Sequence, residues 1–257
     1  LLAEEGGTST REGQMVENLL QMVEQRHLEG DAFERDELIA SAMNGLLQRL
    51  DRHSTYMTPD EFKSNAVRAR RVIDARMGWD ITDYGQGDFD TLGLFLFTLR
   101  NGNLADLQRG GGMVYAEKLL ISRQDQLSPM HTHVIKSEDI INRGGAPMAI
   151  QLYGSVDAGN FAEDRGGTVM CDGVARDFAP GEVLLFQPGE SVTLMPGDWH
   201  AFWGEGGDVL IGEVSTVNDD LTDNIFREPI GRFAEIEEDV APTHLLVSDY
   251  DVWLPGT

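Results

Sequence analysis

The chain has 257 residues, enough for one large domain or for a core domain with a helical extension, so a well-buried interior is within reach. Lys plus Arg total 20 against 44 Asp plus Glu, and the formal net charge of -24 repels phosphate backbones and anionic membrane surfaces, which sets nucleic acid and lipid aside as partners. The one cysteine, Cys171, excludes an internal disulfide, and no apolar run reaches the roughly 18 residues that span a bilayer.

A reducing cytoplasm is the expected compartment. Residues 1–10 carry neither the basic start nor the apolar core of a secretory signal, and with Leu1 in place of Met the natural start is expected upstream. Apolar residues recur at helical spacing from Met15 to Val23 and again from Leu38 to Leu50, predicting two amphipathic helices. Thr58-Pro59-Asp60-Glu61 then reads as an N-cap, a proline at the first helical position and a capping-box glutamate, opening a third helix to about Ala75. Its Arg68, Arg70 and Arg71, with Arg76 just beyond, read as a solvated face. After Gly78 the texture changes to short apolar runs, at 94–99, 118–121, 148–153, 183–186, 192–195 and 209–214, separated by Gly, Pro, Asn and Asp. Many short strands with almost no intervening helix predict a mainly β, antiparallel jelly roll, with residues 1–77 as a helical extension and 78–257 as the β-barrel domain and its C-terminal segment.

His131-Thr132-His133 sets two imidazoles two residues apart, so on a strand both face the same side and can bind one ion. Glu138 follows closely. Further on, a tight turn in Pro196-Gly197-Asp198-Trp199-His200 delivers a third imidazole at the start of another strand. Three neutral nitrogens and one carboxylate leave positions open on a divalent ion, as a catalytic site requires. Manganese is the expected ion, and zinc, cobalt and iron accept the same ligands. His27, His53 and His244 lack such company and are read as non-ligands. The arrangement H-x-H-x4-E followed by P-G-x2-H resembles the two cupin motifs, which implies that both pieces meet inside one double-stranded β-helix.

Longer stretches are more specific. Gly78-Trp79-Asp80-Ile81-Thr82-Asp83, Phe97-Thr98-Leu99-Arg100-Asn101-Gly102, Tyr115-Ala116-Glu117-Lys118 and the run from Lys136 to Gly145 look like the bacterial D-lyxose isomerase family. So do Gly212-Glu213-Val214-Ser215, Asn218-Asp219-Asp220, Asp223-Asn224 and the run from Gly231 to Asp239, so the likeness extends from about Thr58 to the C-terminus. Residues from about Asp36 to Lys63 also resemble, loosely, the helical lead-in of carboxyl-terminal processing peptidases, but nothing further along resembles their protease domain. The lyxose isomerase resemblance implies a homodimer acting on a small free sugar, interconverting D-lyxose and D-xylulose, with D-mannose and D-fructose as a second candidate pair. It implies that Lys118 and Glu235 are the catalytic pair.

Alternation along residues 115–121 turns Lys118 toward the cavity. Lys136, three residues past His133, would fall on the opposite face of a regular strand unless a turn before Glu138 brings it back; it is a candidate substrate contact. Glu213, a carboxylate amid apolar strand residues, reads as a buried functional acid, because a buried carboxylate is costly. Asp223 and Arg227 are candidate contacts for sugar hydroxyls, the alternative for each being a structural ion pair. Trp199, Phe202 and Trp203 read as core packing around His200. Ligands alone leave a dioxygenase or a non-catalytic sugar-binding cupin open, and the family resemblance selects the isomerase.

Overall fold

From Gly78 onward the backbone follows a period of two, with apolar side chains turned inward and polar ones outward, and this alternation makes the chain a stack of strands. The computed structural model describes residue 44, residues 66–232, residue 242 and residues 244–254. The chain divides into two compact units, residues 1–66 with 240–244 and residues 67–239 with 245–257, and every strand among the described residues lies in the second. Of the expected helices, the third is represented by α1 (Ala66–Asp74); the first two lie outside the described residues apart from Asn44, which is helical. Arg70 and Arg71 are exposed, and Arg76 pairs with Asp251 at 2.6 Å.

The strands are β1 (Gly78–Thr82), β2 (Leu94–Arg100), β3 (Tyr115–Ser122), β4 (Ser128–Thr132), β5 (Glu138–Gly145), β6 (Met148–Tyr153), β7 (Ser155–Val156) and β8 (Asn160–Phe161). They continue with β9 (Gly167–Cys171), β10 (Val174–Phe178), β11 (Glu182–Phe186), β12 (Ser191–Leu194), β13 (Trp199–Gly204), β14 (Val209–Thr216) and β15 (Ile225–Phe226). Two short helices complete the order, α2 (Leu104–Arg109) and α3 (Tyr250–Trp253). All six runs picked out by their apolar pattern are strands. The apolar pattern alone does not pick out β4, β5 and β13, whose inward positions include His131, Glu138, Asn142 and His200; the ligand spacing sets His131 and His200 on strands.

One sheet runs β1-β2-β3-β14-β5-β12-β9-β10 and the other β11-β6-β13-β4-β15. Their pairings nest: β3 with β14, β4 with β13, β5 with β12 and β6 with β11, all antiparallel. First paired with last and inner with inner is a hairpin rolled on itself, the jelly roll expected from the sequence. Leu96, Leu120, Ile140, Val192 and Ile211 from the first sheet meet Met148, Ile150, Leu152, Leu184 and Phe202 from the second in a closed core. The same inward alternation that buries Leu120 and Ile211 turns Lys118 and Glu213, two residues away on β3 and β14, into the interior beside that core.

Candidate active site

The metal ligands predicted from spacing converge. β4 and β13 pair with His131 opposite His200, and the turn ahead of β13 is tied back by the Gly197 N–H donating to His133 O at 3.0 Å. Gly197 takes φ +92 there, a conformation that suits glycine. His133 lies just past the end of β4, and Glu138 opens β5. All four side chains are buried. Each imidazole directs Nδ1 at a backbone carbonyl, His131 at Pro129 O (2.8 Å), His133 at Asp223 O (2.5 Å) and His200 at Asp198 O (3.1 Å). A carbonyl only accepts, so each Nδ1 carries a proton, and it is Nε2 whose lone pair the neutral ring presents.

Those lone pairs meet at one place. Ligand atoms of His131, His133 and His200 lie within 4.8 Å of one another, and Glu138 Oε1 is 3.3 Å from His133 Nε2 and 3.1 Å from His200 Nε2. His133 Nε2, His200 Nε2 and Glu138 Oε1 are nonetheless buried without an aligned hydrogen bond. Orphaned donor-set atoms of this kind are costly unless something fills the point between them, and N3O is a donor set for a divalent cation. Burial, reinforced by His200 and His133, holds the His131 imidazole well below its usual pKa, so it is neutral and fit to ligate. Burial alone would raise Glu138; the Lys136 ammonium overcomes that and holds its carboxyl well below the usual range.

A second cluster of charges sits beside the first. Lys136 Nζ lies 2.7 Å from Glu138 Oε2 and 3.0 Å from Glu213 Oε1. The Lys136 amine feels burial pulling its pKa down, and Glu138 and Glu213 more than reverse this. Lys118 Nζ is 2.6 Å from Asn218 Oδ1, 3.1 Å from Asp220 Oδ1 and 3.7 Å from Glu213 Oε1. Arg232 Nη2 reaches Asp220 Oδ1 at 3.4 Å. Burial would raise Asp220, but Lys118 and Arg232 hold it well below its usual value. Lys118, Lys136, Glu138, Glu213, His131 and His200 line one cavity, together with Tyr84, Asp220, Asn224, Phe226 and Arg232.

Those last five were not singled out as site residues from sequence. Asp220 stood within the Asn218-Asp219-Asp220 stretch, and Asn224 and Arg232 within other family-like stretches, but only the fold shows that they share a cavity with the histidines. Tyr84 (φ +57) donates to or accepts from Ser128 Oγ at 2.9 Å and meets Phe226 edge-on at 5.6 Å. Phe226 in turn lies 5.7 Å from the His131 ring.

Among the expected contacts, Lys136 comes back to the cavity through a turn at 133–137, made by Asp223. The Asp223 carboxylate accepts from Val134 N (2.8 Å), Ile135 N (3.0 Å) and Lys136 N (2.8 Å) while its own carbonyl takes His133 Nδ1. Arg227 is not among the cavity-lining residues; its guanidinium lies 4.4 Å over the Phe161 ring and pairs with Glu163 at 2.5 Å. Glu235 lies outside the described residues, as do His27 and His53. His244 is not one of the three histidines that converge. Trp199 is buried with Nε1 donating to Gly159 O at 2.9 Å, Phe202 lies in the core and also lines the cavity, and Trp203 Nε1 donates to Glu205 at 2.7 Å.

The chain is similar to proteins of known activity. A D-lyxose/D-mannose isomerase of Serratia proteamaculans is 43% identical over 223 residues, covering 82% of this chain and 96% of that protein. The D-lyxose/D-mannose isomerase of Escherichia coli O157:H7 is 39% identical, covering 82% and 97%. Among solved structures, L-ribose isomerase of Cellulomonas parahominis with L-ribose is similar at 16% identity and a TM-score of 0.44, covering 68% of this chain and 95% of that one. The model of the D-lyxose isomerase family matches residues 42–250, and with relatives this similar over most of its length the chain belongs to that family.

Proposed function

We propose that this protein is a ketol-isomerase that interconverts D-lyxose and D-xylulose, and D-mannose and D-fructose, with a manganese ion held by His131, His133, Glu138 and His200. The observation that carries the reading is the convergence of three buried imidazoles, with the Glu138 carboxylate beside two of them, at a cavity shared with two lysines and two further acids. An ion bound there supplies a Lewis acid that polarises the O1/O2 end of an open-chain sugar.

The rest of the chemistry falls to side chains. Turning an aldose into its ketose removes the proton on C2, returns one to C1, and moves a hydroxyl proton from O2 to O1; no oxidant or reductant is consumed. Lys118 and Glu235 are the pair assigned to these transfers. Lys118 Nζ already stands in the cavity, and the described chain lines that cavity at Arg232, shortly before Glu235 in sequence. Glu213 and Lys136 offer a hydrogen-bonded acceptor and donor for sugar hydroxyls, and Asp223 acts through the turn that returns Lys136 to the cavity. The lone cysteine and the family relationship support a cytoplasmic homodimer.

The test is direct. Purified protein loaded with manganese is incubated with D-lyxose, D-mannose and D-xylulose, and ketose or aldose formation is followed. Absence of turnover with every pentose and hexose in metal-loaded protein overturns the reading; oxygen uptake would replace it with an oxygenase.

A further inference from the structure

Residues 97–102 and 218–220 both belong to the family-like stretches, and neither supplies a metal ligand. The structure joins them. Asn101 follows β2 just past a register shift against β3 between Thr98 and Arg100, and its side chain is buried, 8% exposed. Its Nδ2 donates to Asn218 O at 2.9 Å and to Ala75 O at 3.1 Å, and its Oδ1 accepts from Asn218 N at 3.0 Å. One planar carboxamide therefore grips both backbone polar atoms of Asn218, using both of its amide hydrogens and its oxygen. The neighbouring Gly102 permits this approach, since a Cβ there would run into Met113 O and Val217 Cγ2.

Beyond that grip the chain of contacts continues to the reacting groups. Asn218 Oδ1 accepts from Lys118 Nζ at 2.6 Å while Asn218 Nδ2 donates to Asp220 Oδ2 at 2.8 Å, and Asp220 receives the same Lys118 at 3.1 Å. Asn101 itself does not line the cavity that Lys118 and Asp220 line. We propose that Asn101 is a positioning residue for the isomerisation, holding the 218–220 corner so that Asn218 and Asp220 fix the direction of Lys118 Nζ. This rests on the reading of Lys118 as a group that acts on the sugar. A buried lysine held from two sides by a clamped corner keeps one geometry through turnover, and misplacing such a group lowers the chemical rate more than it lowers binding.

The experiment uses the full-length, manganese-loaded enzyme with Asn101→Ala, Asn101→Asp and, as reference, Lys118→Met. Asn101→Asp keeps an acceptor for Asn218 N–H and loses both donated bonds, so it carries the same test if Asn101→Ala does not fold. Measured are kcat and KM for D-lyxose, bound manganese, and the rate at which an amine-reactive reagent modifies Lys118, read by peptide mass spectrometry. Expected are a kcat lowered at least tenfold, KM and manganese content within twofold of wild type, and faster modification of Lys118. Unchanged kcat with unchanged Lys118 modification overturns the proposal, as does a loss of kcat that merely follows loss of manganese. Full turnover in Lys118→Met removes Lys118 from the chemistry and overturns the proposal with it, even where Lys118 modification is faster, whereas a loss of turnover in Lys118→Met with unchanged kcat in both Asn101 variants overturns the proposal alone.

Discussion

The cavity has two walls held in different ways. On the β4–β13 side each histidine is aimed by a hydrogen bond to a backbone carbonyl, two of the three only two residues away, so the strand and its turn fix the nitrogen that faces the ion. On the β3–β14 side, Lys118, Lys136, Glu213, Asp220 and Arg232 are held chiefly by each other, through side-chain contacts that cross 12 to 102 residues of sequence. The first wall is preorganised by secondary structure. The second is preorganised by mutual charge, so removing one member leaves its partner buried and unpaired, which costs more than the bond itself.

The largest effect is expected where the backbone-held wall is broken. His200→Ala removes one of the converging nitrogens; bound manganese should be lost, and with it several kcal/mol of transition-state stabilisation, roughly a thousandfold or more in kcat. Metal analysis alongside kinetics decides it, and a variant that kept stoichiometric manganese would move the centre elsewhere. Glu235→Gln separates chemistry from metal: manganese should stay while kcat falls by about 10²–10⁴, the usual worth of a general acid–base. Normal kcat in that variant would take Glu235 out of the proton path.

Asp223 joins the two walls. Its carbonyl orients His133 and its carboxylate collects three backbone N–H groups that return Lys136 to the cavity. Asp223→Ala should therefore weaken manganese binding by about 10–100-fold, the usual cost of losing a ligand's support. Titrating apo protein with manganese measures it. An unchanged affinity would show that His133 keeps its aim without the turn.

The same contrast explains what could be read in advance. H-x-H, the following glutamate and P-G-x2-H are local patterns, and strand periodicity and turn chemistry suffice to bring them together. Lys118 and Glu213 were also legible as inward residues, because each sits in an alternating strand. Lys136 was ambiguous, since parity counted from His133 assumes that the strand continues; β4 ends at Thr132, and the turn depends on an aspartate 87 residues away. Asp220, Asn224 and Arg232 come from irregular chain after β14, where no periodicity tells inside from outside. Nor does alternation of apolar residues mark β4 or β13: β4 is mostly polar, and β13 is buried at nearly every position, His200 among them.

The smallest predicted effect tests whether charge pairing is what keeps acids ionised on the second wall. Asp80, on β1, is as buried as any member of the cluster, yet its carboxylate meets only dipoles at close range: Ile81 N at 2.9 Å, and Ser248 N and Oγ at 3.2 Å each. Burial outweighs these and the more distant Arg232, so its pKa rises from 3.8 to about 6, whereas Asp220, touched by Lys118 and Arg232, is held low. The folded state thus keeps a proton that the unfolded chain has released. This proton's contribution to stability is complete below pH 3.8, fades as pH rises through about 6, and is absent at pH 7. Asp80→Asn stays neutral throughout and should escape that decline. The melting temperature of the variant relative to wild type should rise between pH 4 and pH 7, by a few degrees, since each kcal/mol is worth about 2–4 °C in a chain of this size. A difference that stays flat over that range would mean that the Ile81 and Ser248 groups stabilise the ionised carboxylate as well as a lysine does, and that dipoles as well as charges can hold the second wall.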